Sequence, residues 1–210
     1  MYVPHFNAVD EVAARQMVAD YGAGELITTG PDGYPLSTLL PVLWEDDVVV
    51  AHFARANPHW RTIAQESRPE GVGVPALLVC AGSQAYIHPG WYAAKAEHGK
   101  VVPTWNYSSV QLTGRARVIE DVDWLRGAVE RLTDRQEEPF ADRWQVSDAP
   151  ADYIDGMLKA IVGVELRVER VEAKAKLSQN RPEEDRRGVI AGLGGHPVAA
   201  AMREGEAGFG

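Results

Sequence analysis

Residues 25–44, ELITTGPDGYPLSTLLPVLW, constrain the fold more than any other stretch. Two apolar runs flank Pro31-Asp32-Gly33, where Pro presets φ and Gly supplies a positive φ, so the pair reads as a β-hairpin. A third apolar run, DVVVAHFA at residues 47–54, follows the acidic turn EDD. Residues 164–171, VELRVERV, alternate apolar and polar with the period of a half-buried strand. PALLVCAG and QAYIH read as two more strands, and VQLTGRARVI as another. Hairpin-linked strands without a βαβ rhythm predict an antiparallel sheet closing into a barrel.

Helical patterns sit outside these strands. Residues 10–21 carry Asp10 as a cap, and residues 57–66 start with Asn57 as cap and Pro58 in the first turn. Residues 124–138, 150–161 and 181–195 follow, with Asn180 a further cap candidate. The expected class is α+β, an antiparallel barrel with peripheral helices, in one domain over residues 1–210. The last dozen residues are expected to fray.

The formal charge of −9 counts against a nucleic-acid-coating surface. Neither a secretory leader nor an apolar run of membrane-spanning length is visible, and Cys80 is the single cysteine. These features predict a cytoplasmic protein that contacts no membrane.

Four places carry chemistry. At AHFARANPHWR, a strand ends in a basic, amide-rich corner opening into a helix N-terminus. Free N–H groups, the dipole and Arg55 there suit a phosphate or carboxylate. His59 lies in that helix's first turn, where the dipole favours neutral imidazole, the metal-ligating form. His52 and His88 lie on or just after strands. The loop of residues 89–107 gathers Trp91, Tyr92, Trp105 and Tyr107 with Lys95, Glu97, His98 and Lys100, as a planar cofactor or a subunit interface requires. At the end of the last strand, Lys174 and Lys176 share one face, followed by the polar corner Ser178-Gln179-Asn180-Arg181.

Taken together, ARANPHW, AYIHPGWY, KAEHGKVVPTWNY, LTDRQE, SDAPADYIDGMLKAIVG and KLSQNRPEEDRRGVIAGL resemble the PaiB family, described as FMN-binding negative transcriptional regulators. The resemblance spans nearly the whole chain. It implies the FMN-binding split barrel shared with pyridoxamine 5′-phosphate oxidases, in a homodimer holding its cofactor at the subunit interface. An FMN reading implies Thr38, His52, Arg55 and Asn57 around the phosphate and ribityl chain, with Trp105 and Asn106 from the other subunit. A regulator or an FMN-dependent oxidoreductase are the two forms of that reading.

The chain departs from the family pattern at Leu39, where a His is usual, and at Ala175, where a Trp is usual. His88 and Gly90 replace serines, and Cys80 replaces a Phe. These changes resemble an offshoot, the piperazate synthases of natural-product biosynthesis, which bind haem b and form the N–N bond of L-piperazic acid from N5-hydroxy-L-ornithine. That resemblance implies His59 as axial ligand, Trp105 against the macrocycle, and Arg55 and Lys176 for propionates or the substrate carboxylate. Lys95, Glu97 and Tyr107 are the proton-transfer candidates.

Overall fold

The hairpin expected from residues 25–44 is present. In the computed structural model, which describes residues 1–66 and 72–207, strand β1 (Ala23–Thr29) pairs antiparallel with β2 (Pro35–Pro41), Thr29 facing Pro35. Gly33 takes φ +83°, and Asp32 Oδ1 accepts the Tyr34 N–H at 3.1 Å. β2 ends at Pro41, and a separate β3 (Leu43–Glu45) pairs with β4 (Val48–Ala54) across Asp46 and Asp47.

Three long strands complete the sheet: β5 (Val74–Ile87), β6 (Thr104–Ile119) and β7 (Ile161–Lys176). The seven strands are ordered β2-β1-β5-β6-β7-β4-β3. Two expectations change here. PALLVCAG and QAYIH form one continuous strand, because Ser83 and Gln84 keep the ladder unbroken although their side chains face solvent. Residues 104–107 belong to β6 rather than to the preceding loop.

The helices are α1 (Glu11–Tyr21), α2 (His59–Glu66), α3 (Ala94–Glu97), α4 (Val122–Glu137), α5 (Ala151–Lys159), α6 (Glu183–Leu193) and α7 (Pro197–Ala207). Asp10 caps α1 through the Ala13 N–H, and Asp121 caps α4 through the Trp124 N–H, each at 2.8 Å. Pro182, not Asn180, precedes α6. Of the last dozen residues, expected to fray, those as far as Ala207 belong to α7, which buries Val198, Ala199 and Met202, and residues 208–210 lie outside the described residues. Burial of those three side chains offsets the ordering of an Ala-rich segment.

The chain divides into two compact units, one of residues 1–14, 81–110 and 172–210, the other of residues 15–80 and 111–171. The second unit holds the barrel interior, where Leu26, Leu40, Val42, Val49, Ala51, Leu78, Val164 and Leu166 enclose about 10 Å³. That is room for about one water molecule at most, so the barrel interior is closely packed. A satellite cluster of Leu125, Val146, Ile154 and Leu158 lies under α4 and α5. The first unit has its own core of Ile87, Tyr92, Leu177, Val189, Val198 and Met202. No described helix is long and apolar enough to cross a membrane.

Candidate functional site

Two groups of polar residues stand out, one in each unit. In the barrel unit, β4 ends at Ala54 and α2 begins at His59, with Asn57 between them. Asn57 Oδ1 accepts the His59 N–H at 3.0 Å, the N-cap contact expected at this corner. The Asn57 amide also donates to Thr38 Oγ1 at 3.3 Å. Thr38 Oγ1 lies 2.9 Å from His59 Nδ1, and Thr28 Oγ1 lies 2.9 Å from Nε2. Neutral imidazole has one donor and one acceptor, so one threonine hydroxyl gives a proton and the other receives one. His59 is 4% exposed, packs edge-on against Phe53, and burial holds its pKa below the ordinary value. The neutral form expected from the helix dipole follows here from desolvation.

The other residues of this corner do not join that trio. The Arg55 guanidinium donates to Glu120 at 2.9 Å and to the carbonyls of Lys159 and Ile161 at 3.0 and 3.2 Å. The structure thus gives it a different task from the expected anion fork: it ties the end of β4 to the start of β7. His52 pairs in register with Gly163 on β7. Alternation turns it to the face of β4 opposite Phe53. Its half-buried ring leaves Nδ1 without a partner, and burial lowers its pKa too.

The second group gathers at the ends of β6 and β7. Asn106 is 0% exposed, and the Ser178 hydroxyl lies 3.0 Å from its Nδ2 and 3.2 Å from its Oδ1. Met202 Sδ lies 3.6 Å from the same amide. Ser178 adopts φ +66°, a left-handed conformation that costs a non-glycine residue about 1–2 kcal/mol. Lys176 Nζ donates to Thr104 Oγ1 and to the Trp105 carbonyl, the latter at 2.6 Å. Burial is the main reason its pKa is lowered; Lys174 and Arg181 add to the effect, while Tyr107 opposes it. Lys174 is 7% exposed, its ammonium 3.2 Å from the Tyr2 carbonyl and 5.1 Å from the Tyr107 ring centroid. Arg181 sits 4.7 Å over the Tyr92 ring. Trp105, half exposed, meets Tyr86 edge-on at 6.4 Å. Lys95 and Glu97 lie exposed on α3.

Sequence reasoning placed Lys174 and Lys176 on one face with the polar corner ending in Arg181 after them, but did not join Tyr107 and Thr104 to that group. The residues that depart from the family pattern lie apart in the fold. Ala175 packs against the apolar core of its unit, on the strand face opposite the two lysines. Leu39 is 67% exposed on the edge strand β2. His88 and Gly90 are one coupled change: a Cβ at residue 90 would lie 2.6 Å from His88 Cε1, and His88 Nδ1 accepts the Gly90 N–H at 2.9 Å. A cleft of about 930 Å³ in the barrel unit contains none of the expected site residues. It is lined by Asp47, Arg115, Arg117, Glu165, Arg167 and Glu169, whose charges pair with one another.

The chain resembles known proteins along nearly its full length. The family described as "Putative FMN-binding domain" matches residues 1–170. An uncharacterised protein of Emericella nidulans is 38% identical, over 92% of this chain and 90% of its own. The protease synthase and sporulation protein PAI 2 of Bacillus subtilis is 32% identical, over 97% and 95% of the two chains. Among solved structures, an FAD and haem binding protein from Mycobacterium smegmatis superposes with a TM-score of 0.60, at 17% identity over 91% of this chain and 81% of that one. The barrel topology, the polar corners and this full-length similarity agree: the chain belongs to the PaiB-like FMN-binding family, on a split-barrel fold.

Proposed function

We propose that the chain is a haem-dependent enzyme of the piperazate synthase type, closing N5-hydroxy-L-ornithine to L-piperazic acid with loss of water. The observation that carries this reading is His59, a neutral and buried imidazole held by hydroxyls on both sides. An iron ligand there has to replace one hydroxyl. Thr28 is buried and Thr38 is half-buried, so Nδ1 would be the nitrogen to hold the metal, with Nε2–H donating to Thr28 and orienting the ring. A solved structure of the same fold is described as an FAD and haem binding protein, which is compatible with either cofactor on this scaffold.

Haem, when bound, supplies a Lewis acid for the hydroxylamine oxygen. The chain's own residues bind and orient the substrate. Lys176 holds a carboxylate, the Trp105 face bounds the planar group, and Tyr107, Lys95 or Glu97 handles the proton. The Nα–N5 bond forms as the N5–O bond breaks, and the hydroxyl departs as water with a proton lost by the amine, so no external oxidant is needed. Holding amine and hydroxylamine in contact is a large part of the rate enhancement. A homodimer belongs to this reading: β2 is an edge strand carrying exposed Leu39, with exposed Tyr34 in the turn before it, a surface that a second copy would cover.

A second reading is an FMN-binding regulator or oxidoreductase. It is favoured by the family's description and by the engagement of both His59 nitrogens, which then act as a structural brace beside Thr38, Asn57 and the cofactor. The absorption spectrum of the purified protein separates the two. A Soret band that disappears in His59→Ala, together with dehydration of N5-hydroxy-L-ornithine seen by mass spectrometry, supports the enzyme. Flavin bands without haem sink it.

A further inference from the structure

We propose that Lys174, Lys176 and Arg181, with Tyr107 and Thr104, form a binding site for a carboxylate or phosphate oxyanion. The site deepens the reading above by adding two cations to Lys176, and it stands for either cofactor. Among the described residues no carboxylate pairs with any of the three cations, in a chain whose formal charge is −9. Exposed acidic side chains are plentiful, so this lack of pairing is local.

Lys174 makes the strongest case. The residue is 7% exposed, and its ammonium reaches the Tyr2 carbonyl and the face of the Tyr107 ring. A largely buried cation without a counter-charge is costly, and a bound anion offsets part of that cost. Lys176 uses two of its three donors on Thr104 and Trp105, which aims the ammonium and leaves one donor for a ligand. Arg181 is brought back towards the strand end by the left-handed turn at Ser178, closed by the Arg181 N–H on the Ser178 carbonyl at 3.0 Å. Strained residues of this kind persist where the surroundings hold them, and they cluster at ligand sites. Here the Asn106 amide holds the Ser178 hydroxyl. The neighbouring carboxylate, Asp185, gives Oδ1 to the Ala94 N–H at 3.0 Å and forms no ion pair with Arg181.

The test is titration of the purified protein with inorganic phosphate, followed by tryptophan fluorescence or calorimetry. Lys176→Met and Arg181→Gln are the variants, each checked for folding by its urea midpoint; if one fails to fold, the other carries the test. Arg167→Gln, in the polar cleft of the barrel unit, is the control. Affinity should fall at least about tenfold in both variants, stay unchanged in the control, and weaken with added salt. Two ligand pairs locate the source of the anion. Selective weakening of FMN over riboflavin assigns a cofactor phosphate, and of L-ornithine over putrescine a substrate carboxylate. Where a cofactor is retained through purification, its occupancy per chain should drop in both variants. If phosphate, FMN, L-ornithine and cofactor occupancy are all indifferent to both substitutions, the site is refuted. A haem-free protein that binds phosphate through these residues keeps the site and sinks the enzyme reading. A haem-bearing protein indifferent to the substitutions does the reverse.

Discussion

Replacing Asn106 by Ala removes the side chain that locks the strained corner. The carboxamide is fully buried, and its nitrogen and oxygen both meet the Ser178 hydroxyl. Loss of the pair costs about 1 kcal/mol net, and the Ser178 hydroxyl, itself 5% exposed, is left unsatisfied at about 1–3 kcal/mol. The sum is about 2–4 kcal/mol, a large share of a typical domain's stability. Urea unfolding of Asn106→Ala, Ser178→Ala and the double variant measures it. The two substitutions should be coupled by about 1 kcal/mol or more, because each deletes the same contact. Ser178→Gly should unfold later than Ser178→Ala by about 1 kcal/mol, since only glycine occupies φ +66° without strain. Strict additivity, or a loss below about 1 kcal/mol in Asn106→Ala, would refute the claim that this amide holds the turn.

Acid should destabilise the barrel unit through its histidines. His59 and His52 have folded pKa values lowered by burial, so the unfolded chain binds their protons more tightly. Their neutral forms stabilise the fold above the ordinary histidine pKa of about 6.5, and that contribution fades as pH falls through 6.5 towards the lowered folded values. The urea midpoint should drop between pH 7.5 and pH 5.5 (values chosen about one unit either side), and less so in His59→Gln. An equal drop in the variant would remove His59 from the account. Cys80, fully buried with its thiol pushed up to about 12, should resist a thiol reagent in the native protein and react at once in urea. Rapid native labelling would show that the barrel opens locally.

The departures from the family pattern show how far residue identity goes without coordinates. Leu39, Ala175, His88 and Gly90 are all visible in the chain as departures, but residue identity does not say where in the fold they fall. The structure disperses them: Ala175 and the two lysines beside it point to opposite faces of β7, Leu39 faces outward on an edge strand, and His88 fills space that only Gly90 leaves. Arg55 shows the same limit. Its position beside a helix N-terminus suggested an anion, and a carboxylate and two carbonyls distant in sequence claim it instead.

Local chemistry was enough for much of this protein. The Pro-Asp-Gly hairpin, the caps at Asp10 and Asn57, the alternation of β7 and the antiparallel class all follow from contacts within a few residues, which the chain carries in its own order. The long motifs likewise placed it in its family. Tertiary structure alone decided the rest. It set both nitrogens of His59 against Thr28 and Thr38, docked the last helix through Val198, Ala199 and Met202, and left three cations together that pair with no carboxylate among the described residues. Those outcomes depend on partners far apart in the chain, 96 residues between Asn106 and Met202 and 172 between Tyr2 and Lys174. No periodicity encodes such pairings, because they exist only once the strands have found their register.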